Sequence, residues 1–166
     1  EPPVGTVYHF ALGTRTLTPG ETYRLRVVTP DGRVVTGATT IPNTVPVSDT
    51  ATETVAFPFR GTLALAWRRV AGASSYEVRV AGQLNLVVFA DTSIALTINS
   101  FSSSTGGTRG DTTSALVVSA VDANYYDYYR HKPDSFTGNG VISHLNGAIG
   151  VFGSIVEIER RTLKLR

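Results

Sequence analysis

Four of the five residues from position 125 to 129 are tyrosines, and this cluster is where the chain has most to offer a ligand. Phenol rings supply a large contact area at low side-chain entropy cost and keep a hydroxyl for orientation. Tyr125, Tyr126, Tyr128 and Tyr129 are therefore the predicted binding residues, suited to protein, peptide or sugar contacts. The competing account is packing, with the rings closing a core or a seam between domains. A segment this short cannot bury all its faces, so some rings should stay exposed. The stretch Asn124-Tyr125-Tyr126-Asp127-Tyr128-Tyr129-Arg130 reads as a short helix or turn that stops before Pro133.

Other groupings of reactive side chains carry less. Asp122, Asp127, His131 and Asp134 place oxygen and nitrogen ligands in one short segment, a set that suits Ca²⁺ if the backbone converges them. EF-hand spacing is missing, and Arg130 and Lys132 in the same stretch disfavour a cation, so solvated turn charges explain them better. No metal or other cofactor is expected. Arg109-Gly110-Asp111 spells the integrin-recognition tripeptide on a predicted polar loop, yet a loop rich in Gly, Ser and Thr needs only one Arg and one Asp to produce it. His9, His131 and His144 coexist with many Ser and Asp, but there is no Gly-x-Ser-x-Gly elbow. Gly153-Ser154 falls in a predicted strand, where no sharp turn would expose the hydroxyl. Carboxylates at glycosidase spacing leave no signature either. Zero Cys removes thiolate metal sites, disulfides and Cys nucleophiles. The expectation is a protein without catalytic residues.

Composition bounds the rest. The chain has 166 residues, 42% hydrophobic and 17% charged, which is ample for a buried core and argues against disorder. Of its 15 basic residues only Lys132 and Lys164 are Lys, and the net charge of +2 is spread along the chain. No basic and aromatic stripe marks a nucleic-acid groove, so no nucleic-acid partner is expected. No apolar run approaches the roughly 18 residues of a membrane helix. The chain contains no Met and starts at Glu1, which leads us to expect a processed product or part of a longer one. A secreted protein whose leader is gone is the favoured form, placed outside the cell or on the outer-membrane surface.

The elements that must carry these residues are strands. In GTLALAWRRVAGASSYEVRV (61–80), Leu63, Leu65 and Trp67 alternate with Ala64, Ala66 and Arg68, and Tyr76, Val78 and Val80 alternate with Glu77 and Arg79. Each segment thus has one face for a core and one for water. Residues 5–12, 22–29 and 33–40 form three predicted strands, separated by Thr18-Pro19-Gly20-Glu21 and by Pro30-Asp31-Gly32. Three strands alone cannot close a sandwich. Residues 41–59, punctuated by Pro42, Pro46 and Pro58, read as linker plus a first edge strand. Further strands follow at 61–69, 75–81, 84–90, 93–99 and 113–122, with a polar loop over 101–113. Residues 138–153 are Gly-rich and irregular. At the end, Val156 and Ile158 alternate out of step with Leu163 and Leu165, which predicts a bulge or turn at Arg160-Arg161. The expected fold is all-β, with two immunoglobulin-like or fibronectin type III-like sandwich units, the first short of strands. The divisions fall at 1–43, 44–123 and 124–166.

Two resemblances bear on this. The segment from about 45 to 121 resembles a fibronectin type III domain, through Trp67 on an early strand, the small turn Ala71-Gly72-Ala73, and Tyr76 opening the next strand. That implies a fold and almost nothing of function. Most of the chain is similar to a family of bacterial outer-membrane surface lipoproteins of unknown function, typically associated with TonB-dependent transporters. The matching residues are Pro19-Gly20-Glu21-Thr22-Tyr23-Arg24-Leu25, Thr39-Thr40-Ile41-Pro42, Tyr125 to Tyr129, and Asn146-Gly147-Ala148-Ile149-Gly150-Val151-Phe152-Gly153-Ser154. Members begin with a lipidated Cys and a further amino-terminal β region, so the resemblance implies membrane attachment only through an anchor absent from this sequence.

These readings converge on a non-catalytic bacterial cell-surface binding or accessory module whose partners are other surface proteins. The alternative is a subunit of an extracellular filament or surface layer, assembled with copies of itself by strand exchange. Its motive is that the strands at 5–12 and 162–166 have no obvious partners in the sequence. A third reading takes the tyrosines as a glycan-binding surface.

Overall fold

Alternation of apolar and polar residues produces the strands at the centre of the molecule. In the computed structural model, which describes residues 16–44, 52–55, 61–80, 86–98, 112–130 and 142–165, Tyr76, Val78 and Val80 are each at most 3% exposed while Arg79 between them reaches solvent. The order of elements is β1 (Thr22–Val28), β2 (Val34–Thr40), β3 (Thr52–Val55), β4 (Gly61–Ala66), β5 (Ser75–Val80), β6 (Leu86–Ala90), β7 (Ser93–Ile98), β8 (Thr112–Val121), α1 (Ala123–Arg130) and β9 (Ile155–Leu165). The fold class is all-β with one short helix. The predicted strand at 5–12, the Arg109-Gly110-Asp111 loop, His9, His131 and Asp134 lie outside the described residues.

Five strands form one sheet in the order β3-β9-β8-β5-β6, in which only β3 and β9 run parallel. A second sheet pairs β4 with β7, and a third is the β1–β2 hairpin. Leu65 of β4 and Leu96 of β7 share one core with Tyr76, Val78, Val80, Leu116, Val118, Ala120 and Ile158 of the large sheet. That is a sandwich-like arrangement, two sheets burying their apolar faces against each other. Trp67 sits edge-on to Tyr76, with ring centroids 5.5 Å apart. The buried Tyr76 hydroxyl accepts the Val70 N–H at 2.5 Å, so its polar end is satisfied.

The carboxy-terminal end corrects two expectations. Residues 155–165 are one strand, and Arg160 and Arg161 stay in the ladder opposite Val117 and Leu116. The bulge lies earlier: Val118 faces Glu159 and Ser119 faces Glu157, leaving Ile158 as the extra residue. Ile158 is 3% exposed, and its burial in the core explains why the register slips there. The end strand is also not partnerless, because Thr162–Leu165 pairs with β3 on one side and β8 on the other.

In the first hairpin, Asp31 is held down to about 2 by the Thr29 hydroxyl and then by Arg33. The irregular stretch after residue 141 packs along this hairpin, and Asn146 and Thr36 exchange backbone hydrogen bonds of 3.0 and 2.9 Å. The next residue, Gly147, has φ +85°, and a Cβ there would lie 2.5 Å from the Val34 carbonyl oxygen. Gly147→Ala is expected to cost about 1 to 3 kcal/mol, for a left-handed backbone plus a clash with main chain that cannot move aside. A thermal melt unchanged by the substitution would remove this account of the junction.

Candidate functional site

The tyrosine helix begins where β8 ends, and Asp122 makes the turn. Its carboxylate Oδ1 accepts the Tyr125 N–H at 2.8 Å, the N-cap bond that starts α1, and also the Ser154 N–H at 3.1 Å. Oδ2 accepts the Thr39 hydroxyl at 2.5 Å. Asp122 is 5% exposed and Thr39 6% exposed, so this is a buried polar joint between β2, α1 and the segment before β9. Asn124 extends it, donating from Nδ2 to the carbonyls of Ala38 (2.5 Å) and Phe152 (3.0 Å). The Ser154 hydroxyl donates to the Thr40 carbonyl at 3.0 Å. Gly153 permits the close approach, since a Cβ there would lie 2.7 Å from the Tyr125 nitrogen.

The helix rests on the face of the large sheet that turns away from the core. Glu77 of β5, Phe89 of β6 and Ser119 of β8 are register partners and share that face. Alternation alone assigned Glu77 to water; in the fold it is 2% exposed. Its Oε2 accepts the Tyr125 phenol at 2.7 Å, and its Oε1 accepts Arg79 Nε at 2.5 Å. Two donors on a buried carboxylate answer the desolvation that would otherwise exclude it. Burial first, and the bond to Glu77 second, push the Tyr125 phenol well above its ordinary range. The phenol therefore keeps its proton and remains a donor.

The four predicted binding tyrosines occupy unequal places. Tyr125 and Tyr126 meet Phe89 edge-on, at centroid distances of 6.4 and 5.5 Å. Tyr129, one turn on from Tyr125, stacks against it at 4.5 Å with the planes 28° apart. Tyr128 stands edge-on to Tyr129 at 5.4 Å. The Arg130 guanidinium lies 5.9 Å from the Tyr126 ring centre. Tyr126 and Tyr128 are half-buried, and Tyr129 is 43% exposed. Asp127 bonds His144 Nε2 at 2.9 Å, tying the helix to the stretch after residue 141.

The calcium set read from the sequence is not assembled by its described members. Asp122 is occupied by protein donors and Asp127 is held by His144, and no metal-ligating group of three or more His, Cys, Asp or Glu occurs among the described residues. Ser143, next to His144, has its hydroxyl engaged with the backbone of Ala148 and Gly150. Residues missed by sequence reasoning are Glu77, Phe89, Asn124 and Thr39. One signal was present for Asp122, an acidic residue directly before a helix, which marks an N-cap. No family, curated protein or solved structure matches this chain.

Proposed function

We propose that the protein is a non-catalytic binding or accessory module of a bacterial cell surface, with the outer end of the tyrosine cluster as its contact surface. One observation carries this reading. Tyr129 is 43% exposed yet stacked on Tyr125, whose phenol is anchored to buried Glu77. An aromatic ring held in place before it meets a partner loses little entropy on binding. Trp67 against Tyr76 in the shared core supports the fibronectin type III-like unit as its scaffold.

The test is capture from outer membranes on the immobilised protein. The wild type is expected to retain a surface protein, a transporter first among candidates. The double variant Tyr128→Ala, Tyr129→Ala is expected to lose at least about tenfold of that retention while its stability falls by about 1 to 3 kcal/mol, for one half-buried ring and one stacked on Tyr125, with circular dichroism showing that it stays folded under the capture conditions. Equal retention by the two proteins, or no transporter recovered by either, would count against the reading. The second reading, a filament subunit, draws on the β1 edge, with which no strand pairs among the described residues. The end strand works against it, because β9 is folded into its own molecule. A protein that sediments as a monomer at every concentration eliminates the filament.

A further inference from the structure

Hydrogen-bond register determines which peptide groups of the first hairpin face outward. Thr29 N–H donates to the Arg33 carbonyl at 2.9 Å and Ile41 N–H to the Glu21 carbonyl at 3.0 Å, bonds that close the ladder at its two ends. With the pairing Tyr23↔Thr39, Leu25↔Gly37 and Val27↔Val35 between them, the odd-numbered residues of β1 bond to β2. The peptide groups of Thr22, Arg24, Arg26 and Val28 therefore point away from β2. The same parity holds on the other strand, and there four outward groups are engaged: the Thr36 N–H and carbonyl by Asn146, the Ala38 carbonyl by Asn124 and the Thr40 carbonyl by Ser154. One edge of the hairpin is filled by the carboxy-terminal half. Along the other, no strand pairs among the described residues.

The side chains along this edge carry a charge that no described residue compensates. Thr22, Arg24, Arg26 and Val28 share a face with Thr40, Ala38, Thr36 and Val34 across the pair, so neither Arg has an acid opposite. Both are exposed, and neither makes an ion pair among the described residues. Strand β9 provides the contrast, since four of its charges compensate one another, Glu157 with Arg160 and Glu159 with Arg161. Val28 and Val34 close the same face at the hairpin end, 53% and 44% exposed. A second copy of β1 is a poor occupant. Full antiparallel overlap of two β1 strands sets Arg24 against Arg26 twice, and like charges directly opposite are destabilising.

We infer that the outer edge of β1 accepts an added strand from a different polypeptide, an extended segment with carboxylates at alternate positions that face Arg24 and Arg26. Main-chain bonds to Thr22, Arg24, Arg26 and Val28 hold it, and the two guanidiniums select its side chains. The site is separate from the tyrosine helix and does not rest on the role given to it.

The test uses the full ¹⁵N-labelled chain and the capped peptide acetyl-Thr-Val-Glu-Val-Glu-Val-Thr-amide, with Lys in place of both Glu as its control. The Glu peptide is expected to slow amide exchange at Thr22, Arg24, Arg26 and Val28 at least about tenfold, and the Lys peptide to leave it unchanged. The double variant Arg24→Glu, Arg26→Glu is expected to reverse that preference, and added salt to weaken both responses. The inference is overturned if these amides already exchange slowly without peptide, if millimolar Glu peptide protects none of them, or if the charge reversal leaves the preference unchanged.

Discussion

Asp122→Ala is expected to lower the unfolding free energy by about 3 to 5 kcal/mol, a large effect for a single polar substitution. The N-cap bond to Tyr125 accounts for about 1 kcal/mol, and each of two further donors left without an acceptor costs about 1 to 2 more, the lower part of the range for a buried group because Ser154 is only half-buried. Those donors are the Thr39 hydroxyl and the Ser154 N–H, bonded now at 2.5 and 3.1 Å. Asp122→Asn keeps one side-chain oxygen and should lie between the two. Urea unfolding followed by Trp67 fluorescence measures both. A loss below about 1 kcal/mol for the Ala variant would mean that water replaces the carboxylate, and that the hairpin, the helix and the residue 152–154 segment are not joined there.

The second large effect is Tyr125→Phe, expected to cost about 1.5 to 3 kcal/mol, the range for a hydrogen bond to a charged group. Phe keeps the ring contacts with Phe89 and Tyr129 and removes only the donor to Glu77, whose carboxylate is 2% exposed. This cost carries a pH signature. The Tyr125 phenol titrates above its ordinary 10.0 in the folded protein, chiefly through burial and then through Glu77. A group raised in the folded state stabilises fully below its unfolded value and loses that contribution as pH climbs past it. The stability gap between wild type and Tyr125→Phe should therefore stay constant up to pH about 10 and shrink beyond it. A gap that is flat across the alkaline range would show that the folded state does not raise the phenol, by burial or by Glu77.

Both effects sit where local reading of the chain ends. Alternation is a local property, and strands β1, β2, β4, β5, β7 and β8 follow it within one to three residues of the predicted bounds. The run over the tyrosines was legible as a short helix or turn that stops before Pro133, and the structure makes it a helix over Ala123–Arg130. The burial of Glu77 was not. Its neighbours in sequence put it on the water side, and only α1, more than forty positions away, covers that side. The bulge was legible as a slip in alternation but misplaced, because which residue is extra depends on what β8 presents opposite it.

Taken alone, the sequence determined the class of object: an all-β chain whose residue pattern offers its most conspicuous chemistry in one tyrosine-rich turn. Side-chain period and turn residues act within a few positions, so they survive without the rest of the molecule. Tertiary structure alone decided that Tyr125 points inward to Glu77 while Tyr129 stays outside, that the end strand lies between β3 and β8, and that β2 is covered while no described strand pairs with the outer edge of β1. Each of those outcomes depends on bringing distant backbone or charged groups together out of water. The desolvation and hydrogen bonding that select among them exist only once the layers have met.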